Sequence, residues 1–214
     1  MNLRKDSDPS DLPRRGRPRV DQAGQVEQRI LDAATATFLA QGFGRTTLDQ
    51  IAEVARVSKT TLYGRFPTKE ALFAAVVSAS VQRLQVQMNL TPTGGTLKER
   101  LIQAGIGLAA ATLTPESIAL MRVTSAETDT FPKVAREGFR IGFDACVHCI
   151  AECLAPTASE DAIAAVTPIA ERFVEMALHP LYMHAFFGAD LGYLRDRAVR
   201  DITDVAEILL AAEH

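Results

Sequence analysis

Apolar residues recur three and four positions apart almost from end to end of the chain, and no stretch alternates in the two-residue rhythm of a half-buried strand. An all-α fold follows. Val26, Ile30, Ala33, Ala34, Thr37 and Phe38 form one stripe and predict a helix from about Ala23 to Ala40. Gln41-Gly42-Phe43 then has the form of a left-handed C-cap followed by an apolar contact. Leu48, Ile51, Ala52 and Ala55 predict a two-turn helix, with Thr47 as N-cap and Gln50 reaching back to it. Ser58 caps the next short helix, which Val57 and Leu62 plug onto the first. Ala52 is small enough to let the two cross closely, at the roughly 90–120° of a helix-turn-helix. A longer helix runs from Thr68 to about Met88, with Leu72, Phe73, Val76, Val77, Leu84 and Met88 on its apolar side. After the break Thr91–Thr96, helices are expected over Leu97–Leu113, Pro115–Glu127, Pro132–Leu154, Glu160–Leu178, Leu181–Phe187 and Leu191–Ala212. Gly105 and Gly107 inside the first of these each cost about 1 kcal/mol against alanine, which points to close packing or an internal space.

The second short helix turns Lys59, Thr60, Thr61, Tyr63 and Gly64 outward. A lysine, two hydroxyls and a phenol suit phosphates and base edges, and Gly64 lets backbone approach a groove wall. Thr46, Thr47 and Ser58 join them as candidate DNA contacts. Lys69 stands in the first turn of a helix, against its macrodipole. That suggests an anion held there, a DNA phosphate, the plainer alternative being a solvated surface lysine.

Thr46-Thr47-Leu48 through Phe66, with the run Leu62-Tyr63-x-x-Phe66-Pro67-x-Lys69-Glu70-x-Leu72, resembles the DNA-binding domain of the TetR family of bacterial transcriptional regulators, over about Val26 to Phe73. One departure is Arg56, where the family usually has glycine in the inter-helix turn; a left-handed backbone costs arginine some strain, so either the turn is slightly strained or its geometry differs. The resemblance implies a head at residues 23–75 and an all-helical ligand-binding and dimerisation domain at 76–214, with the Phe131-Pro132 step of one group of the family. It implies a pocket among the helices holding Leu101–Leu113, Ile118–Val123, Phe139–Ile150 and Ile169–Met176. Candidate ligand contacts are Met121, Phe139, Phe143, His148, Phe173 and Met176, each of which also suits an ordinary core. The helices Glu160–Leu178 and Leu191–Ala212 would pair with their copies in a homodimer, and the long helix after Thr68 would carry motion between head and body.

Composition adds three points. Of 214 residues 47% are hydrophobic, enough for a full core, yet no apolar run nears the roughly 20 residues of a membrane span. Met1 to Asp11 is polar and unlike a signal peptide, so a cytoplasmic protein without membrane attachment is expected. The net charge of −3 is uneven: residues 1–75 carry 12 Lys and Arg against 9 Asp and Glu, and the remainder 11 against 17. The basic end includes an arm, residues 1–22, with Arg14-Arg15-Gly16-Arg17-Pro18-Arg19. Arg15 and Arg17 are similar to the arginines of an AT-hook, which enter a narrow minor groove; a phosphate-binding or merely solubilising arm is the other reading.

Cys146, Cys149 and Cys153 share one helix face and are too few and too close for a disulfide framework. No Gly-rich phosphate loop, His-Glu-x-x-His or Gly-x-Ser-x-Gly occurs, so neither an enzyme nor a cofactor is expected. The leading expectation is a repressor that binds a palindromic operator as a dimer and is released by a small, largely apolar ligand. The alternative is a ligand-independent or thiol-responsive DNA-binding protein.

Overall fold

The computed structural model describes residues 20–88 and 95–211. Arg15 and Arg17, and with them the whole arginine-rich arm, lie outside the described residues. Within them the chain forms ten α-helices: α1 Val20–Gln41, α2 Leu48–Val54, α3 Lys59–Arg65, α4 Lys69–Met88, α5 Leu97–Thr112, α6 Pro115–Ala126, α7 Pro132–Leu154, α8 Glu160–Phe173, α9 His179–Phe186 and α10 Leu191–Ala211. A single π-helical turn, Val174–Leu178, joins α8 to α9.

The caps fall where the side chains can make them. Thr47 accepts from the Gln50 amide while Gln50 accepts from the Thr47 amide, which fixes the start of α2. Ser58 accepts from the Thr61 amide and starts α3. Gly42, at φ 81°, ends α1 and sends Phe43 into the core beneath it. Arg56 occupies the α2–α3 turn at φ 53°, the left-handed conformation anticipated for that position. The first helix begins at Val20, three residues earlier than its apolar stripe indicates.

Two hydrophobic clusters form. The head buries Phe38, Phe43 and Phe73 as a mutually packed ring trio between α1, α2 and α4, with Ile30, Ile51, Leu62 and Leu72 around it. Each fully buried phenylalanine contributes about 1.5–3 kcal/mol. Leu120 of α6 and Val134 of α7 also belong to this cluster, so the body is seated directly on the head. The second cluster joins α5, α7, α8, the π turn, α9 and α10. The division expected near residue 75 falls inside α4, which runs unbroken from one cluster toward the other.

Gly105 is a requirement of packing: a Cβ there would lie 2.7 Å from the Phe173 ring and 2.9 Å from Ile202, so α5 approaches α8 and α10 as only glycine permits. No single helix among the described residues is long and apolar enough to cross a membrane.

Candidate DNA interface and ligand cavity

Lys59, Thr60, Tyr63 and Gly64 are exposed along the outer face of α3. A Cβ at Gly64 would meet nothing within 4 Å, so the packing of the chain itself does not need glycine there. Lys59 Nζ lies 2.6 Å from Asp49 Oδ2, and Tyr63 donates its hydroxyl to Asp49 Oδ1 at 3.3 Å. The Lys59 ammonium holds the Asp49 carboxyl below its usual range, and Asp49 in turn raises Lys59. One carboxylate on α2 thus orients two side chains of α3. Asp49 has no sequence signal of its own beyond being an acid in the first turn of a helix.

Other candidates are committed within the fold. The Thr47 and Ser58 hydroxyls are exposed but serve as caps, and Thr61 pairs its hydroxyl with Ser58 at 2.7 Å. Thr46 is buried, at 1% exposure; its hydroxyl donates to Gly42 O and accepts from Gln41, so it faces inward rather than toward DNA. Lys69 also takes a different role from the phosphate contact expected. Its ammonium donates to Phe43 O at 2.8 Å, Thr46 O at 2.9 Å and Gly44 O at 3.2 Å, and lies 4.4 Å from the centroid of the Phe43 ring. Three N–H donors meet three carbonyls, and these dipoles offset the unfavourable helix end.

Within the body a cavity of about 570 Å³ opens between α4, α5, α6, α7, the π turn and α9. Met121, Phe139 and Phe143 line it, as the sequence suggested. His148 does not: it stands half-exposed on the far side of α7, 3.4 Å from Glu152. Phe173 is fully buried against Gly105 instead, and Met176 points outward from the π turn.

The sequence reading missed the contributions of α4 (Val77, Ser80, Val81) and of α9 (His179, Tyr182, Met183, Phe186). The π turn explains the second omission. Pro180 has no amide to donate, and the His179 amide reaches Val174 O, so one extra residue is accommodated and the register shifts. His179, Tyr182, Met183 and Phe186 then face the cavity together. A His-Pro step in an apolar helical run was the available signal.

Phe139 stacks on Phe143 at 5.7 Å, and His179 packs 5.2 Å from the Phe143 ring. Burial lowers the His179 pKa, partly opposed by Glu175. Arg122 of α6 donates to Ala185 O and Phe186 O, which satisfies the end of α9 and ties the two walls.

Cys146 and Cys149 also line the cavity. Burial pushes the Cys146 thiol up to about 12 and that of Cys153 to about 11, so both stay protonated at neutral pH. That counts against the thiol-responsive alternative. Among the described residues no three His, Cys, Asp or Glu side chains converge on a common metal position.

A helix-turn-helix head seated on a helical body with an apolar cavity is the architecture of a DNA-binding regulator, and the family comparisons agree. Residues 30–76 match the family described as bacterial regulatory proteins of the tetR family, and residues 99–212 match the AefR-like transcriptional repressor C-terminal domain. The second match alone spans more than half of the chain, and the chain belongs to the TetR family of transcriptional regulators.

RutR of Escherichia coli K12 is 55% identical over 51 residues, 24% of each protein. SrpR of Pseudomonas putida is 38% identical over 74 residues, 35% of this chain and 34% of its own length. These matches therefore span about a quarter to a third of the curated relatives. Whole-length similarity is found among solved structures. A protein assigned to the TetR family from Mesorhizobium loti superposes with TM-score 0.66 at 25% identity, covering 89% of this chain and 98% of its own. The flavonoid-responsive regulator FrrA gives TM-score 0.64 at 29% identity, covering 88% and 97%.

Proposed function

We propose that this chain is a dimeric repressor that grips a two-fold operator through α3 and lets go when a small, largely apolar molecule fills the cavity. The observation that carries this reading is α4: one helix holds Lys69 and Phe73 in the head and presents Val77, Ser80 and Val81 to the cavity. A ligand that fits one arrangement of α4 better than another shifts the spacing of two paired heads by differential affinity.

Pairing is supported by the outward side of the last helices. Tyr193, Val199 and Ile208 of α10 and Met176 beside α8 are large apolar side chains left exposed in the single chain. Two α3 helices so held would enter successive major grooves, with half-sites about one helical turn, or modestly more, apart. Lys59 and Tyr63 then meet phosphate, and Thr60 at the start of α3 reads base edges. Such a protein works in the cytoplasm, beside its operator. FrrA, similar over nearly its whole length and responsive to flavonoids, favours an aromatic effector here.

Selection of bound duplexes from a random pool, run on the wild type and on Thr60→Ala, tests the head. A palindromic consensus that changes at one position per half-site is expected. An unchanged consensus removes Thr60 from readout, and a protein that stays monomeric at micromolar concentration without preference among duplexes would end the proposal.

A further inference from the structure

The cavity wall contains a short hydrogen-bond relay whose direction follows from counting protons. Thr112 Oγ1 lies 2.6 Å from Leu108 O and 2.7 Å from the Tyr182 hydroxyl. A carbonyl only accepts, so the one proton of Thr112 goes to Leu108 O, and Tyr182 must be the donor to Thr112. The phenol proton is thereby spent, and the Tyr182 oxygen remains as an acceptor on the cavity wall. Cys146 Sγ also lies within reach of the Tyr182 hydroxyl, but sulfur is a weak acceptor, so the phenol proton goes to the Thr112 oxygen.

Two further features restrict what can enter. Among the described residues no Asp, Glu, Lys or Arg side chain lines the cavity, and burial biases the His179 ring toward its neutral form, so an ion would be desolvated there with little counter-charge. Phe139 and Phe143, nearly parallel with 11° between their planes, and the His179 ring beside them offer flat apolar surfaces.

Resting on the reading of this cavity as the effector site, we propose that the effector is an uncharged aromatic molecule that donates a hydroxyl proton to Tyr182, with Tyr182 and Thr112 as the specificity pair. The site discriminates against an ether in place of the hydroxyl, because two acceptors then face each other, and against a carboxylate of the same shape.

Calorimetric titration of the full-length protein at pH 7 with 2-naphthol, 2-methoxynaphthalene and 2-naphthoate tests this. The naphthol is expected to bind about tenfold more tightly than the ether, a typical net value of one hydrogen bond, with the carboxylate weakest. Tyr182→Phe should bring the naphthol down to the level of the ether. Thr112→Val should act oppositely: it frees the phenol proton, so the ether gains affinity while the naphthol keeps its own. A purely structural role would weaken all three probes alike. Equal binding of naphthol and ether by the wild type, or tightest binding of the carboxylate, overturns the proposal. So does failure of all three probes to bind, while displacement of bound operator by some other compound would show that the effector reading survives without it.

Discussion

At the scale of single residues, Lys69 shows how a charge that reads as a binding group can instead be a fastener. All three ammonium protons are spent on carbonyls of the α1–α2 loop, and the Phe43 ring supplies a face beneath them. Lys69→Met should therefore lower the stability of the head by on the order of 2 kcal/mol, the usual scale for losing hydrogen bonds to a charged donor. The slope of log affinity for DNA against log salt should stay unchanged in chemical denaturation-competent, folded samples; a slope reduced by about one would put Lys69 on a phosphate after all. His179 makes a prediction of opposite kind. Its pKa is lowered from 6.5 by burial, so below about 6.5 the unfolded chain takes up a proton that the folded chain does not. Its contribution to stability is full above that pH and falls as the pH drops toward the lowered value. Urea denaturation at pH 7 and pH 5 should show a larger loss for the wild type than for His179→Gln; equal losses would mean that His179 titrates as if exposed.

At the scale of elements, α3 depends on α2 for more than its crossing angle. Asp49 holds both Lys59 and Tyr63, and a phosphate arriving at Lys59 has to compete with that carboxylate. Asp49→Asn removes a negative charge from the face proposed to meet DNA. Its expected result is tighter binding to all duplexes alike and a salt slope steeper by about one, measured by fluorescence anisotropy; weaker binding would mean that the aim of Lys59 and Tyr63 matters more than their freedom. The start of α2, the start of α3 and the whole of α7 were legible from sequence because Thr47 with Gln50, Ser58 and Pro132 act on their nearest neighbours. The family resemblance, applied to apolar side chains at helical spacing, pointed to Met121, Phe139 and Phe143, which line the cavity. It failed for His148, Phe173 and Met176, since an apolar or aromatic residue at helical spacing does not reveal which neighbour it faces. It also missed α9, whose cavity-facing side is set by the π turn at His179-Pro180, a register change that periodicity read at 3.6 residues cannot show. At Arg56 the resemblance, through the family's usual glycine, left a strained turn or a different geometry, and φ 53° is the strained one.

At the scale of the whole molecule, head and body touch at a second place besides α4. Glu127 follows the last residue of α6, and its carboxylate accepts the Gly44 amide at 3.0 Å, in the loop that leads into α2. Phe131 sets its ring edge against Phe43 5.1 Å away, beside the same loop. Ser117, Leu120, Met121, Thr124 and Ser125 of α6 all line the cavity, so α6 has a cavity-facing wall and a loop-holding end. If the cavity is the effector site as proposed, a displacement of this wall would reach Glu127, and through Gly44 the entrance of the helix-turn-helix. Glu127→Ala should therefore leave operator affinity and cavity affinity near their wild-type values when each is measured alone, yet reduce the effect of cavity occupancy on operator binding several-fold, within the usual range of about 1–3 kcal/mol for such coupling. Glu127→Gln keeps a carbonyl acceptor for the Gly44 amide and should restore the coupling. Anisotropy titrations of operator with and without a saturating cavity ligand measure all three quantities; full coupling in the alanine variant would leave α4 as the route between the two sites.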